Sequence, residues 1–253
     1  MESLRINFYR LLLLAAIIGV WQMNAYFGWV PKFFVGNPVD IFSKIFSWFS
    51  FGSIYRHLGV TLVETLLSFV IGAAAGVTVG LWLALSPTWS RVLDPFIKAA
   101  NSMPRLILAP IFAIWFGLGI WSKVALGVTL VFFIVFFNVH QGVREVSPVV
   151  LANVRMLGAT RAQLIRRVYV PSALTWVFSS LHLSVGMAFV GAVIGEYLGS
   201  AAGVGYLILQ AESIFDIDTV IAGILTLSAF ALLLDWTVSL FERRLLVWMP
   251  PRS

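Results

Sequence analysis

Three histidines, His57, His140 and His182, stand far apart in the chain, and there is no cysteine. Disulfides and thiolate metal sites are therefore excluded, and no metal site is expected. Nucleotide chemistry fares no better. A G-x-x-x-x-G-K-[ST] loop is missing, and the glycine-rich "GSAAGVGYL" at 199–207 lacks the lysine and hydroxyl that would hold phosphates. H-E-x-x-H and G-x-S-x-G are absent as well, so no catalytic residue is assigned. What remains is a set of polar side chains within long apolar runs: Glu64, Asn138, His182 and Asp235, with Glu196 closing one run. An ionisable group at membrane depth marks a functional site by default. Glu64 and Asp235 lie near the ends of their runs, where water or a neighbouring helix would satisfy them. His182 sits about ten residues into its run and is the best pathway candidate. A second kind of chemistry is cationic: in "MLGATRAQLIRRVYVP", 156–171, Arg161, Arg166 and Arg167 cluster between a Gly-Ala turn signal and a proline.

The rest of the chain explains where such residues must sit. Apolar residues make up 60% and charged residues 11%, against roughly 25% charged in a soluble domain. Lipid must be the solvent for much of this surface. The sequence pI of 10.0 could suggest nucleic acid, but the Lys and Arg residues fall between oily runs rather than on one soluble face. No nucleic-acid partner is expected. Apolar runs at 11–29, 59–85, 122–140, 172–197 and 217–240 are long enough to span a bilayer. A shorter one at 104–119 carries Pro104 and Pro110 and reads as a buried, irregular third span. The first run leads into Trp21 without a small-residue cleavage site, so it reads as a retained helix rather than a signal peptide.

Charge sets the expected orientation. With the amino terminus inside, the inner segments hold Arg5 and Arg10; Arg91, Lys98 and Arg105; Arg144, Arg155, Arg161, Arg166 and Arg167; and Arg243, Arg244 and Arg252. The outer segments keep only Lys32, Lys44, Arg56 and Lys123. This asymmetry predicts an all-α membrane protein with six transmembrane helices and both termini cytoplasmic. Residues 39–49, "VDIFSKIFSWF", put Ile41, Ile45, Trp48 and Phe49 at helical spacing. They read as an amphipathic helix in the outer interface or as an ordinary packed connection. Gly72, Gly76 and Gly80 recur every four residues and predict close helix packing, within one subunit rather than between two.

The cationic segment, 145–170, falls inside, between the fourth and fifth spans. Pro148 can start a helix that runs to Met156; "LGA" then breaks it, and Thr160 can cap a second helix. Pro171 would begin the fifth span. Two short helices meeting at a glycine make a rigid knob. A loop that only fixed topology would need no glycine bend, so a docking element is expected.

"ANVRMLGATRAQLIRRVYVPSAL" resembles the EAA loop of bacterial ABC-importer permeases, with the pattern E-A-A, three residues, Gly, nine residues, Ile, one residue, Leu-Pro. Gly158 takes the glycine position, Val168 the isoleucine, Val170 the leucine and Pro171 the proline. Ala152, Asn153 and Val154 replace E-A-A, so the acidic start is lost. "NSMPRLILAPIFAIWFGLGIWSKV" at 101–124, "GEYLGSAAGVGYLI" at 195–208 and the closing "FERRLLVW" look like permeases of the nitrate/sulfonate/taurine branch. The resemblance implies the type I ABC importer permease fold in a bacterial inner membrane. It implies an ABC ATPase in two copies, a second permease copy and an extracytoplasmic binding protein as partners. Ala152, Asn153, Arg155, Leu157, Gly158, Ala159, Thr160 and Arg161 would couple to the ATPase, which alone would carry ATP and Mg. No cofactor is expected on this chain. Nitrate, sulfonates, taurine, bicarbonate, aromatic carboxylates and vitamin-precursor pyrimidines are all compatible substrates.

A six-span chain of this kind supplies half a pathway, which a C₂ homodimer would complete. His182, Ser184, Ala188, Gly191 and Glu196 are the pathway candidates, because small residues keep the fifth span's surface small and His182 adds a polar group. The alternative is that they pack against neighbours within one subunit. An ion-gradient-driven secondary transporter is the competing function, but such folds show inverted repeats and paired broken helices. Only one broken span and no repeat are visible here.

Overall fold

The computed structural model describes residues 2–245, and among them the only regular structure is helical. Arg252 and the end of the closing "FERRLLVW" segment lie outside that range. Helix α1 (Glu2–Phe27) leads through a one-turn α2 (Lys32–Val35) to α3 (Pro38–Ser50), then α4 (Ser53–Ala84) and α5 (Pro87–Ser102). A 3₁₀ turn (Arg105–Leu108) precedes α6 (Ala109–Phe116), and α7 (Ile120–Arg144) follows. Next come α8 (Pro148–Met156), α9 (Arg161–Leu164), a π turn (Ile165–Tyr169), α10 (Val170–Ser179), α11 (Leu181–Leu198), α12 (Val204–Ser213) and α13 (Ile217–Leu245).

Four of these, in α1, α4, α7 and α13, are long and apolar enough to cross a membrane, and two bent pairs bring the number to six. The first pair, α5 with the 3₁₀ turn and α6, bends by 83°. The break falls at Met103-Pro104, where the missing proline N–H and the restriction on its predecessor both end a helix. The second pair divides the run expected at 172–197 into α10 and α11, bent by 57° at Ser180. Two separate helices were expected to flank Pro171. Instead the chain stays helical through it, because the π turn just before widens the backbone where the proline ring would strike the carbonyl of Arg167.

The core forms where α4, α7 and α11 meet. Gly72, Gly76 and Gly80 all face α7, and a Cβ on Gly76 would sit 2.8 Å from the Phe132 carbonyl. With no side chains in the way, the two backbones close around Val131, Val135 and Val139. The same logic brings Gly191 of α11 onto Gly127 of α7, and Gly142 onto Trp176 of α10. In lipid, where hydrophobic surface gains nothing by leaving solvent, such close contact is what drives helices together.

Helix α3 combines both readings of its sequence. Ile41 is fully buried, while Phe42, Phe46 and Val39 are exposed. It is tied to the start of α13 by the Asn37 N–H donating to Asp218 at 2.7 Å and by Lys32, which bridges Asp40 at 2.6 Å and Asp218 at 3.1 Å. The Lys32 hydrogen bond holds the Asp40 carboxyl below the usual carboxylate range. Helix α1 lies outside the core, joined to α2 by the Trp21 indole N–H donating to the Val35 carbonyl at 3.0 Å, and none of its apolar window is buried inside the chain.

Candidate functional site

At one end of the bundle, the segment between α7 and α10 projects as a rigid knob. Pro148 occupies the first turn of α8, where its missing N–H costs nothing. The helix ends at Gly158, whose φ of 80° lies in the left-handed region. The Gly158 N–H donates to the Arg155 carbonyl at 3.0 Å and the Ala159 N–H to the Val154 carbonyl at 3.2 Å. That pair of bonds is a Schellman motif, and it satisfies carbonyls that a helix end otherwise leaves bare. Two residues later a capping box starts α9. The Thr160 side chain accepts from the Gln163 N–H at 3.3 Å, and the Gln163 side chain accepts from the Thr160 N–H at 2.8 Å. Both helix ends are thus locked on either side of a two-residue bend.

Ala152, Asn153, Arg155, Leu157, Gly158, Ala159, Thr160 and Arg161 all lie on this knob, and only Ala159 is half-buried. Met156 and Leu157 are 80% and 87% exposed at its tip. Two large apolar side chains beside a stiffened turn form a surface built to be covered.

The opposite end holds a site that the sequence did not reveal as one. Lys123, counted as an outer-loop cation, is fully buried at the start of α7. Its ammonium donates to the carbonyl of Leu118 and, at 2.9 Å, to that of Gly119. Glu64 of α4 and Glu196 of α11 are buried beside it, with their carboxyl groups facing each other. Glu64 was expected near a helix end. It instead lies well inside α4, because that helix begins at Ser53. Glu196 accepts from the Thr61 hydroxyl at 2.6 Å and from the Gly205 N–H at 2.7 Å. Thr61 in turn accepts from the Val204 N–H at 3.3 Å, and His57 Nδ1 lies 3.1 Å from the Gly203 amide nitrogen. The cluster therefore pins the turn 199–203 onto α4.

This geometry explains the glycine-rich stretch. Gly203 has a φ of 105°, and a Cβ there would overlap the Glu196 carboxyl group. The glycines make room for a buried carboxylate rather than for a phosphate. No local signal could have exposed Lys123, since a lysine opening an apolar run reads as an interface anchor and its partners are remote in sequence.

The remaining pathway candidates divide. Ser184, Ala188, Gly191 and Glu196 are all buried inside the single chain, against α4 and α7. In this structure the small residues therefore pack within one subunit, as the alternative reading has them, with Gly191 against Gly127 of α7. His182 is partly exposed and lies 2.9 Å from Asp235 of α13, Nδ1 to Oδ1. Leu183, Gly186 and Val190 form the uncovered side of α11.

A family model of binding-protein-dependent transport system inner membrane components matches residues 76–247, which include the knob and, of the buried charge cluster, Lys123 and Glu196. The chain belongs to that family. This inner-membrane component is 33% identical over 238 residues to a Bacillus subtilis protein provisionally named the aliphatic sulfonates transport permease protein SsuC, covering 94% of this chain and 86% of the relative. It is 33% identical to the formylaminopyrimidine transport permease protein ThiX of Halalkalibacterium halodurans, over 90% of this chain and 91% of the relative. It is 29% identical to the taurine transport system permease protein TauC of Escherichia coli, over 93% and 87%. In fold it is similar to a chain of the MetNI methionine ABC transporter in an inward-facing crystal form, with a TM-score of 0.65 and 19% identity over 76% of this chain and 95% of that one. It is an ABC importer permease component of the sulfonate/taurine/nitrate branch, and the gradient-driven alternative is not favoured.

Proposed function

We propose that this permease works as a homodimer that carries a small anionic solute inward, with both termini and the 145–170 knob in the cytoplasm. Two ATPase subunits bind ATP and Mg and receive one knob each, and an extracytoplasmic protein delivers the solute. The observation that carries this reading is the capped bend at 157–160 with its exposed Met156 and Leu157. A rigid apolar tip on a membrane protein fits a cleft in a soluble partner. ATP-driven closure of the ATPases would pull the knobs together, and packed spans respond by switching between two arrangements rather than deforming.

Substrate class rests on two further points. SsuC is named for aliphatic sulfonates and TauC for taurine, and the group these solutes share is an anionic sulfonate. Lys123 is the one fully buried Lys or Arg among the described residues, and its ammonium is already engaged by the Leu118 and Gly119 carbonyls beside two buried carboxyl groups, a setting that disfavours an anion. Selection is therefore assigned to the binding protein.

The test is co-purification of the ATPase with variants of Gly158. Valine resists positive φ, at about 1–2 kcal/mol for a left-handed residue, whereas asparagine tolerates it. A Cβ at this position meets nothing within 4 Å, so crowding does not confound the result. Gly158→Val should lose bound ATPase and uptake, and Gly158→Asn should keep most of both. Equal behaviour of the two variants would contradict the docking role of the bend.

A further inference from the structure

A cavity of about 640 Å³ opens where α4 and α7 end and the knob begins. That size suits a small ligand or headgroup. Leu85 and Leu164 contribute to an apolar floor, and Tyr169 stands among the lining residues. Arg144, Arg155 and Arg161 line it from α7, α8 and α9. No carboxylate lines the cavity. Among the described residues none of these three guanidinium groups has an ion-pair or hydrogen-bond partner. Three exposed cations from separate elements around one cavity give it a positive field that favours an anion.

We propose that this cavity binds the headgroup of an anionic phospholipid. Guanidinium forks match phosphate oxygens in a bidentate way, and basic pockets between span ends are suited to such headgroups. The depth is right as well. Leu85 and Arg144 follow and end α4 and α7, so the cavity lies at the level where a bilayer changes from chains to headgroups, and Tyr169 is at home there. The mixed lining fits an amphiphile better than a free anion, because an inorganic phosphate would leave the apolar floor unused. Arg155 and Arg161 also belong to the knob, so an occupied site would brace the coupling segment against the membrane. The site rests on the proposed orientation only for which leaflet supplies the lipid.

The test uses the purified full-length chain alone in nanodiscs of mixed phosphatidylcholine and phosphatidylglycerol, with a spin label on one lipid or the other. Wild type should hold the labelled phosphatidylglycerol preferentially. Arg144→Gln, Arg155→Gln and Arg161→Gln should each weaken that preference about fivefold, and the triple variant should abolish it. The graded single variants keep the test decisive if the triple does not fold. Arg91→Gln, exposed on α5 and off the cavity, should leave the preference intact. Persistence of the preference in the triple variant would overturn the site, and so would an equal loss from Arg91→Gln. Full displacement of the label by inorganic phosphate would make it a free-anion site. Release of the label on adding the ATPase would assign the cavity to that partner. No ATPase is present in the main measurement, so its failure leaves the proposed coupling function standing.

Discussion

Lys123 is tolerated in the bundle because two carbonyls accept from its ammonium and the facing carboxyl pair of Glu64 and Glu196, which favours one shared charge over two, lies beside it. Removing one side of a buried charge group costs roughly 3–5 kcal/mol. Lys123→Met should therefore lower the midpoint of thermal inactivation in detergent sharply. Adding Glu64→Gln should recover part of the loss, since it leaves a single buried carboxyl rather than a facing pair without a cation. An unchanged midpoint in the single variant would show that the ammonium is dispensable. The residues of the knob were readable from sequence because capping is local: Gly158 and Thr160 act on neighbours within a few positions. The charge cluster was not. Its members come from α4, α7 and α11, and nothing in the neighbourhood of Glu64 or Lys123 distinguishes a buried group from a hydrated one.

At the scale of elements, the glycine ladder decides how close α4 and α7 come. Gly76→Val would place side-chain atoms against the Phe132 carbonyl and Val135, and overpacking of this kind costs about 1–3 kcal/mol. The variant should insert normally but lose thermal stability and transport. Gly19, where a Cβ meets nothing within 4 Å, serves as the control, and equal loss from Gly19→Val would point to helix propensity instead. The spacing of Gly72, Gly76 and Gly80 announced this contact, because period four is itself the helix-face signal. The division of the fifth apolar run was not announced. Hydropathy over 172–197 is continuous across Ser180, and the π turn before Pro171 leaves no compositional trace. The small residues of α11 were legible as a packing surface but not as to which side they pack, since periodicity fixes a face without naming its neighbour.

The whole molecule is one-sided. Its core is α4, α7 and α11, while α1 stays outside and the His182–Asp235 pair is partly exposed at membrane depth. A half-exposed polar pair facing lipid is costly, so a second copy or an aqueous path should cover that side. The chain has no cysteine, which makes single cysteines easy to read. Placed at Gly186 and Val190 they should react with a water-soluble thiol reagent in at least one nucleotide state, whereas at Ser184 and Ala188 they should not. The reverse pattern would put the pathway on the inward face of α11. The central claim, that the bend at 157–160 engages the ATPase, is tested most directly by cross-linking. Leu157→Cys, co-expressed with the ATPase in native membranes and treated with a short thiol-to-amine reagent, should form a permease–ATPase adduct whose yield changes when ATP is added. Leu183→Cys, on α11, should form none. Absence of an adduct at 157, with the ATPase still co-purifying, would contradict the account.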